Sequence, residues 1–290
     1  MIDADALLAW GAGRRAELPW RATRDPWAIL VSELMLQQTQ APRVVPRWHQ
    51  FLERFPTVAS CARAGVGAVV EEWAGLGYNR RAVNLHRAAV VMVETHDGAV
   101  PDALDALVDL PGVGPYTARA VLAFAFERDV AVVDTNVGRV LARREGERLS
   151  MSEAQRLADE LVPTGAGWSW NQVMLDLGAQ VCTKRRALCD DCPVRRGCAW
   201  FEAGAPAPDP AIGSAAVGGR QSRFEGSFRQ GRSRLLDRLR VGDAPSPAEL
   251  VDACGWSDRP GGSDDATRAA QSLVDDGLAV RGADGRLRLP

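Results

Sequence analysis

The chain has 290 residues, of which 46% are hydrophobic and 25% charged, as in globular proteins of one large or two ordinary domains. No apolar run is long enough to span a bilayer, and the acidic start MIDADALLAWGAGRR does not match a signal peptide. These features exclude a membrane-embedded protein and predict a cytoplasmic one with no membrane partner. The net charge of −2 argues against a nucleic-acid partner when charge is treated as one sum.

The region from Leu7 to Trp200 is predicted to be almost entirely helical. Its apolar residues recur with a period of 3.6, and short Gly or Pro breaks separate the segments. We therefore predict an all-α body over residues 1–202.

The first informative segment is DPWAILVSELMLQQTQ, residues 25–40. Asp25 is a natural N-cap and Pro26 a natural first residue of a helix. Within that helix Glu33 is flanked by aliphatic residues, so it lies either at the solvent edge or where desolvation raises the pKa of its carboxyl group. A raised pKa is what a general acid needs near neutral pH.

The second segment is LPGVGPYTARA, residues 110–120. Gly112 and Gly114 favour a sharp turn between two helices, and the following proline favours the start of the second. Backbone N–H groups of such a turn can bind a DNA phosphate, although many glycine-rich helix connections bind nothing. We assign Leu110, Gly112 and Gly114 to a DNA-binding turn.

The third segment, VAVVDTNVGRVLARR at residues 130–144, places Asp134 at the start of a helix. N-capping is its simplest role, and the helix N–H groups favour the ionised carboxylate. An ionised Asp134 and a neutral Glu33 form an unequal pair suited to breaking a glycosidic bond.

Four of the six cysteines follow the pattern C-x6-C-x2-C-x5-C in a loop over residues 182–198, at Cys182, Cys189, Cys192 and Cys198. Four thiolates in one short loop favour a [4Fe-4S] cluster, with zinc second and structural thiols third. Cys61 and Cys254 are predicted to be small buried hydrophobic residues.

Residues 203–222 are rich in Ala, Pro and Gly and predict a surface linker. Residues 223–290 then predict three short helices and a hairpin that turns at Asp284, an α+β pattern similar to a winged helix. Seven arginines over residues 220–240 suit phosphate contacts, or alternatively a solvated face.

These motifs together resemble a known family. The segments LPWR, VSELMLQQTQ, GLGYNRRAVNLH, LPGVGPYTARA and VVDTNVGRVLAR and the cysteine loop are similar to the MutY family of adenine DNA glycosylases. That family belongs to the helix-hairpin-helix superfamily that also contains endonuclease III. The resemblance covers residues 7–200 and implies a two-lobed fold, a six-helix barrel and a cluster-bearing lobe, with DNA and the flipped base in the cleft.

The resemblance implies a role for several residues. Glu33 stands where the family protonates adenine, Asp134 where it stabilises the developing cation, and Asn136 close to that aspartate. Gln38 and Tyr78 stand where the family inserts side chains into the duplex to fill the gap left by base extrusion. The adenine pocket would be lined by Trp20, Arg21 and Asp176.

Three positions depart from relatives. Tyr116 stands where endonuclease III has the lysine that attacks the sugar, which implies a monofunctional glycosylase that uses water, with or without help from the tyrosine. Asn79 replaces a second tyrosine, and Thr135 replaces a glycine common in the adenine enzymes. The chain after Cys198 also lacks the pattern of the Nudix-like domain that inspects 8-oxoguanine in the family.

The sequence thus predicts a monomeric enzyme that removes adenine opposite 8-oxoguanine or guanine from double-stranded DNA with a mispaired base. A thymine or uracil mismatch glycosylase on the same scaffold is the alternative, favoured by Tyr116 and Thr135. A noncatalytic iron-sulfur DNA-binding protein is a third possibility, which the presence of both Glu33 and Asp134 disfavours.

Overall fold

The computed structural model describes residues 2–13, 17–214 and 223–290. The chain divides into two compact units. The first comprises Met1–Ile29, Asp102–Val108 and Gly114–Arg220, and the second comprises Leu30–Pro101, Asp109–Val113 and Gln221–Pro290. Helix α2, Pro26–Leu36, begins in the first unit and continues in the second.

The first unit is helical. Its helices are α1 Ala4–Ala12, α7 Leu104–Val108, α8 Pro115–Phe124, α9 Thr135–Glu145, α10 Met151–Leu161, α11 Gly167–Gln180 and α12 Ala199–Glu202. Helices α9 and α11 pack together, and their apolar faces form a core that includes Leu141, Trp170 and Leu177. A capping box between Ser150 and Glu153 starts α10. The cysteine loop follows α11 directly and reaches α12.

The second unit contains α3 Ala41–Arg54, α4 Val58–Arg63, α5 Val66–Glu72 and α6 Arg80–Thr95. In α3 the buried Val44, Trp48 and Phe51 recur at helical spacing and define its inner face. Phe51 packs edge-on against Trp73, with 6.1 Å between the ring centroids. Pairing of α4 and α5 with α6 completes this helical part.

The C-terminal module also belongs to the second unit. It consists of α13 Phe228–Arg240, α14 Leu250–Cys254, α15 Gly262–Asp275 and the antiparallel strands β1 Val280–Arg281 and β2 Leu287–Arg288. Gly231 lets α13 approach Trp256, because a Cβ there would lie 2.0 Å from the indole ring. The predicted order of three helices and a hairpin is confirmed.

The predicted all-α body with a small α+β module is also confirmed. Within residues 2–13 and 17–200, the only β pairing is an isolated bridge between Cys182 and Ala187. The first part of the predicted surface linker contacts the helical body, because Asp209 pairs with Arg143 at 2.7 Å and Ser214 is buried. Residues 215–222 lie outside the described residues. The helices that the structure describes are each too short or too polar to cross a membrane.

The two isolated cysteines are buried, as predicted. Cys61 and Cys254 have no solvent exposure. Burial raises the pKa of the Cys61 thiol to about 12 and that of Cys254 to about 11. Both are therefore protonated, apolar parts of the core at neutral pH.

Candidate active site and DNA-contacting segments

Asp134 caps helix α9, as the sequence predicts. Its Oδ1 accepts hydrogen bonds from the backbone N–H groups of Asn136 and Val137, both at 2.8 Å. Its Oδ2 accepts from Nδ2 of Asn136, also at 2.8 Å. The carboxyl group is thus fixed at the helix N-terminus by two backbone donors and one side-chain donor.

Burial opposes the ionisation of this group that the helix cap favours. Desolvation raises the pKa of Asp134 above 3.8, and the hydrogen bonds from Val137 and Asn136 and the charge of Arg139 lower it only in part. The sequence identified the cap, which favours the anion, but it gave no measure of the opposing desolvation.

We expect Asn136→Ala to move the acidic limb of the pH–rate profile for excision to higher pH. The variant loses the Nδ2 hydrogen bond that lowers the pKa of Asp134, so the carboxylate is protonated at a higher pH. Single-turnover rates measured from pH 4.5 to 9 would show this shift, with rates at pH 8 much less affected than those at pH 5. An unmoved alkaline limb is the internal control, and an unmoved acidic limb would contradict the assignment.

Arginines of α9 connect Asp134 to the cysteine loop. Arg139 donates from Nη2 to Oδ1 of Asn136 at 2.9 Å and from Nε to the carbonyl of Cys182 at 2.6 Å. Arg143 donates from Nη1 to Sγ of Cys182 at 3.3 Å. Both are buried, and burial lowers the pKa of Arg139. Sequence analysis missed them, although their spacing of four residues places them on one helix face.

The cysteine loop surrounds a pocket within the first unit. The pocket is lined by all four predicted ligands, Cys182, Cys189, Cys192 and Cys198. Leu177, Trp200 and the Arg143 guanidinium also line it. In the described part of the chain, no three His, Cys, Asp or Glu side chains converge as they would around a metal ion.

The three predicted pocket residues also lie in the first unit. Arg21 makes a two-fold ion pair with Asp176, from Nη1 to Oδ2 at 2.8 Å and from Nη2 to Oδ1 at 2.9 Å. The side chains are 12% and 8% exposed, so the pair is largely desolvated. Trp20 is buried beside Arg21 in a short 3₁₀ turn that begins at Pro19. The structure therefore couples two of these residues, which are 155 positions apart.

Glu33 lies in the second unit, on α2. The cap that starts this helix is as predicted, because the Oδ1 of Asp25 accepts from the N–H of Trp27 at 2.9 Å. Glu33 is 6% exposed, and its neighbours Leu30 and Leu34 are fully buried. The structure thus rejects the solvent-edge interpretation of this carboxyl group.

The predicted turn has the required backbone. Gly112 has a φ of 81°, and a Cβ there would lie 2.7 Å from Cβ of Asn84, so glycine is required twice over. Gly114 is extended and caps α8, and a Cβ on it would meet no described atom within 4 Å. The side chain of Leu110 is buried at 2% exposure, so this residue can offer DNA only its backbone. Tyr116 lies in the first turn of α8 and is half-buried.

The two predicted duplex-filling residues share an unusual conformation. Gln38 has a φ of 57° and Tyr78 a φ of 46°, both in the left-handed region. Non-glycine residues in this region carry about 1–3 kcal/mol of strain, which surrounding contacts must offset. Both side chains are exposed, Tyr78 at 42%. Strained, exposed residues of this kind are typical of binding segments.

Arg81 binds the backbone next to Gln38 and the backbone at Tyr78. Its Nη1 donates to the carbonyls of Leu34, Met35 and Gln37 at 2.6–2.8 Å, which ends α2. Its Nη2 donates to the carbonyl of Gly77 at 2.8 Å, and its Nε to that of Tyr78 at 3.2 Å. Burial lowers the pKa of Arg81 to about 10, which still leaves it charged at neutral pH. Sequence analysis missed this residue.

Comparisons with known proteins identify the family of the fold. Residues 31–164 match the model of the HhH-GPD superfamily of base excision DNA repair proteins. A thymine-DNA glycosylase of known structure is 31% identical, with a TM-score of 0.66 over 69% of this chain and 95% of that one. A trapped endonuclease III–DNA covalent intermediate has the same fold, with a TM-score of 0.62 and 23% identity over 70% of this chain and 95% of that one. The family match and the fold thus identify a base-excision DNA glycosylase.

A full-length match narrows the class. The chain is 41% identical to the adenine DNA glycosylase of Mycolicibacterium smegmatis over 293 residues, which is 99% of this chain and 96% of that protein. The match therefore extends through the C-terminal module. The chain belongs to the adenine DNA glycosylase family.

Proposed function

We propose that this enzyme removes adenine mispaired with 8-oxoguanine or guanine in duplex DNA, acts as a monomer, and leaves an abasic site. The observation that carries the proposal is a carboxyl group, Glu33, buried among aliphatic side chains in a member of the adenine DNA glycosylase family. A carboxyl group at this position of an apolar helix suits proton donation to a base.

The chemistry follows from the two acids. Glu33 gives a proton to a ring nitrogen of adenine, so the base leaves as a neutral molecule when the bond between C1′ and N9 breaks. The sugar becomes an oxocarbenium ion, whose positive charge the Asp134 carboxylate stabilises. Water adds to C1′ and releases a proton, which completes hydrolysis. Arg21 and Asp176, held by their ion pair, are assigned to the adenine pocket with Trp20.

The scarcity of lysine side chains supports a monofunctional enzyme. Strand cleavage through a Schiff base needs a nucleophilic amine at the sugar. Position 116 is a tyrosine, and Lys184, an exposed residue of the cysteine loop, is the only lysine of the chain. We therefore assign water as the nucleophile, with the Tyr116 hydroxyl group available to orient it.

DNA binding is assigned to three segments. Backbone N–H groups of the turn at Gly112 and Gly114 bind a phosphate. Gln38 and Tyr78 fill the space that the extruded nucleotide leaves, which offsets part of the unstacking cost. Their left-handed backbone and their exposure support this role.

We further propose that the pocket in the cysteine loop holds a [4Fe-4S] cluster. All four cysteines line this one pocket, and four thiolates from one short loop favour a [4Fe-4S] cluster over a zinc site, which usually takes two short-spaced pairs of ligands. The buried Arg143, which also pairs with Asp209, would donate a hydrogen bond to the cluster ligand Cys182, as it does to that thiol here. The bound cluster would tie the loop to α9, the helix that Asp134 caps.

A thymine or uracil mismatch glycosylase remains the second candidate. It is favoured by the structural match to a thymine-DNA glycosylase, and by Tyr116 and Thr135. The full-length match to an adenine enzyme favours the first candidate.

Single-turnover excision decides between them. Duplexes carrying A opposite 8-oxoguanine, A opposite G, T opposite G and U opposite G are each incubated with excess enzyme and read with and without alkali. We expect breaks only after alkali, and fastest for A opposite 8-oxoguanine. Cutting confined to T or U would establish the mismatch candidate, and breaks without alkali would contradict the monofunctional assignment.

A further inference from the structure

Arg240, the last residue of α13, joins the C-terminal module to the helical part of the second unit. Its side chain is only 7% exposed. Nε donates to the carbonyl of Val70 at 3.0 Å, Nη2 to Oδ1 of Asn79 at 2.7 Å, and Nη1 to Oδ1 of Asp237 at 2.7 Å. The ion pair with Asp237 offsets the cost of burying the positive charge. The other N–H groups of the guanidinium bind Val70 and Asn79, which lie outside the module.

The contact with Asn79 is unusual for an asparagine in that position. Asn79 is the N-cap residue of α6, where an asparagine side chain ordinarily accepts a hydrogen bond from the helix it starts. Here it makes no such cap, and its Oδ1 faces Arg240 instead. Asn79 also directly follows Tyr78, the exposed residue with the left-handed backbone. Arg240 therefore holds the segment at the residue next to Tyr78.

Further contacts dock the module against the same helices. Asp276 lies 3.7 Å from Arg80 of α6. Gly277, with a φ of 71°, packs against Val83, and a Cβ there would lie 3.5 Å from Cγ1 of that residue. Pro290 faces the start of α5, where a Cβ on residue 67 would lie 2.3 Å from the Pro290 carbonyl oxygen. The module is thus seated on α5 and α6, on either side of the Tyr78 segment in the sequence.

The module's arginines are largely committed to contacts within the chain. Among the described residues of the arginine-rich segment, the ion-paired members are Arg223, Arg232, Arg238 and Arg240. The acidic partners reduce the net positive charge of the segment, which weakens the case for it as a phosphate-binding surface. The contacts with α6 give the module a different route to affect DNA.

We infer that the C-terminal module supports the segment around Tyr78, which we assign to filling the duplex, and that Arg240 is the positioning residue through which the module acts on Tyr78. This inference rests on the proposed role of Tyr78 in DNA. Arg81 fixes the carbonyls before Asn79, and Arg240 fixes the Asn79 side chain, so the strained residue is held from both sides. The module supports base extrusion without itself touching the base.

The test compares Arg240→Met and Asn79→Ala with the control Arg268→Met in the full-length protein. Arg268 is an exposed arginine of α15 whose partners, Asp265 and Phe228, both lie within the module. Base extrusion is read from 2-aminopurine placed beside a 2′-fluorinated adenosine, which resists loss of its base, opposite 8-oxoguanine. Excision of ordinary adenine is measured in single turnover, and melting temperatures monitor folding.

We expect Arg240→Met and Asn79→Ala each to reduce the fluorescence rise at least threefold and the saturated excision rate about tenfold, or about 1.4 kcal/mol. The dissociation constant for undamaged duplex should stay within twofold, and the double variant should resemble either single variant. Arg268→Met should match wild type. The Asn79→Ala change lies outside the module, so it tests the contact even where Arg240→Met loosens the module itself.

Equal behaviour of Arg240→Met and Arg268→Met, or effects of the two test variants that multiply, would overturn the inference. Failure of the proposed function has a different signature, since wild type would then leave adenine intact. The same fluorescence comparison on the T or U duplex that the enzyme does cut would in that case decide whether Arg240 supports base extrusion.

Discussion

Glu33→Gln is expected to lower the single-turnover rate of adenine excision by about 10³-fold, the middle of the range for loss of a general acid. The amide keeps the size of the side chain but has no acidic proton to give to the base. Because Glu33 is only 6% exposed, the melting temperature is measured for each variant to check that a lower rate does not come from altered folding. Excision is measured on A opposite 8-oxoguanine with enzyme in excess.

The matched control is Glu94→Gln, which makes the same change at an exposed position of α6. It should excise adenine at the wild-type rate. Both variants should bind the mispaired duplex within twofold of wild type, because neither change removes a positive charge. Full activity of Glu33→Gln would show that another group protonates the base, and loss of binding would assign Glu33 to DNA recognition instead of catalysis.

Local features of the site could be predicted because each is determined by neighbouring residues. The cap by Asp25, the proline start of α2 and the cap by Asp134 depend on contacts within four positions, and the turn at Gly112 follows from the positive φ that glycine allows. The left-handed Tyr78 could not be predicted in this way, because a tyrosine does not favour that conformation.

Long-range contacts account for what was missed. Arg81 reaches carbonyls 44 to 47 positions away, and Arg240 reaches Asn79 across 161 positions. An arginine in a sequence looks the same whether it binds phosphate, a carboxylate or its own backbone. The many arginines of this chain therefore suggested DNA contacts, whereas the structure uses several of them to hold the segments that we assign to DNA binding and catalysis.

This use of arginine explains how a chain with a net charge of −2 can belong to a DNA glycosylase family. Backbone N–H groups at the turn near Gly112 require no cation, and fixed exposed side chains fill the duplex. What the site needs is exact placement of a few groups, and buried arginines such as Arg81 and Arg139 provide it by binding several carbonyls at once.

Asp134→Asn is expected to slow excision by about 10²–10³-fold, the range for loss of one preorganised electrostatic contact with a transition state. The effect on stability should be small, because asparagine caps a helix about as well as aspartate. The side-chain carbonyl oxygen of the new asparagine takes the place of Oδ1 and still accepts hydrogen bonds from the N–H groups of Asn136 and Val137. Urea unfolding and single-turnover excision separate the two quantities.

The exchange variant Asp134→Asn/Asn136→Asp provides the sharpest control. In Asp134→Asn alone, an amide replaces Oδ2 and faces the Nδ2 donor of Asn136, so one hydrogen bond is lost. The exchange restores a donor and acceptor pair and the original net charge, but it moves the carboxylate to residue 136, beside Arg139. We expect it to recover stability without recovering excision, because the oxocarbenium ion is stabilised by a charge at one position and not by the charge of the network. Recovery of excision would mean that the surrounding field, rather than the Asp134 carboxylate, supports the cation.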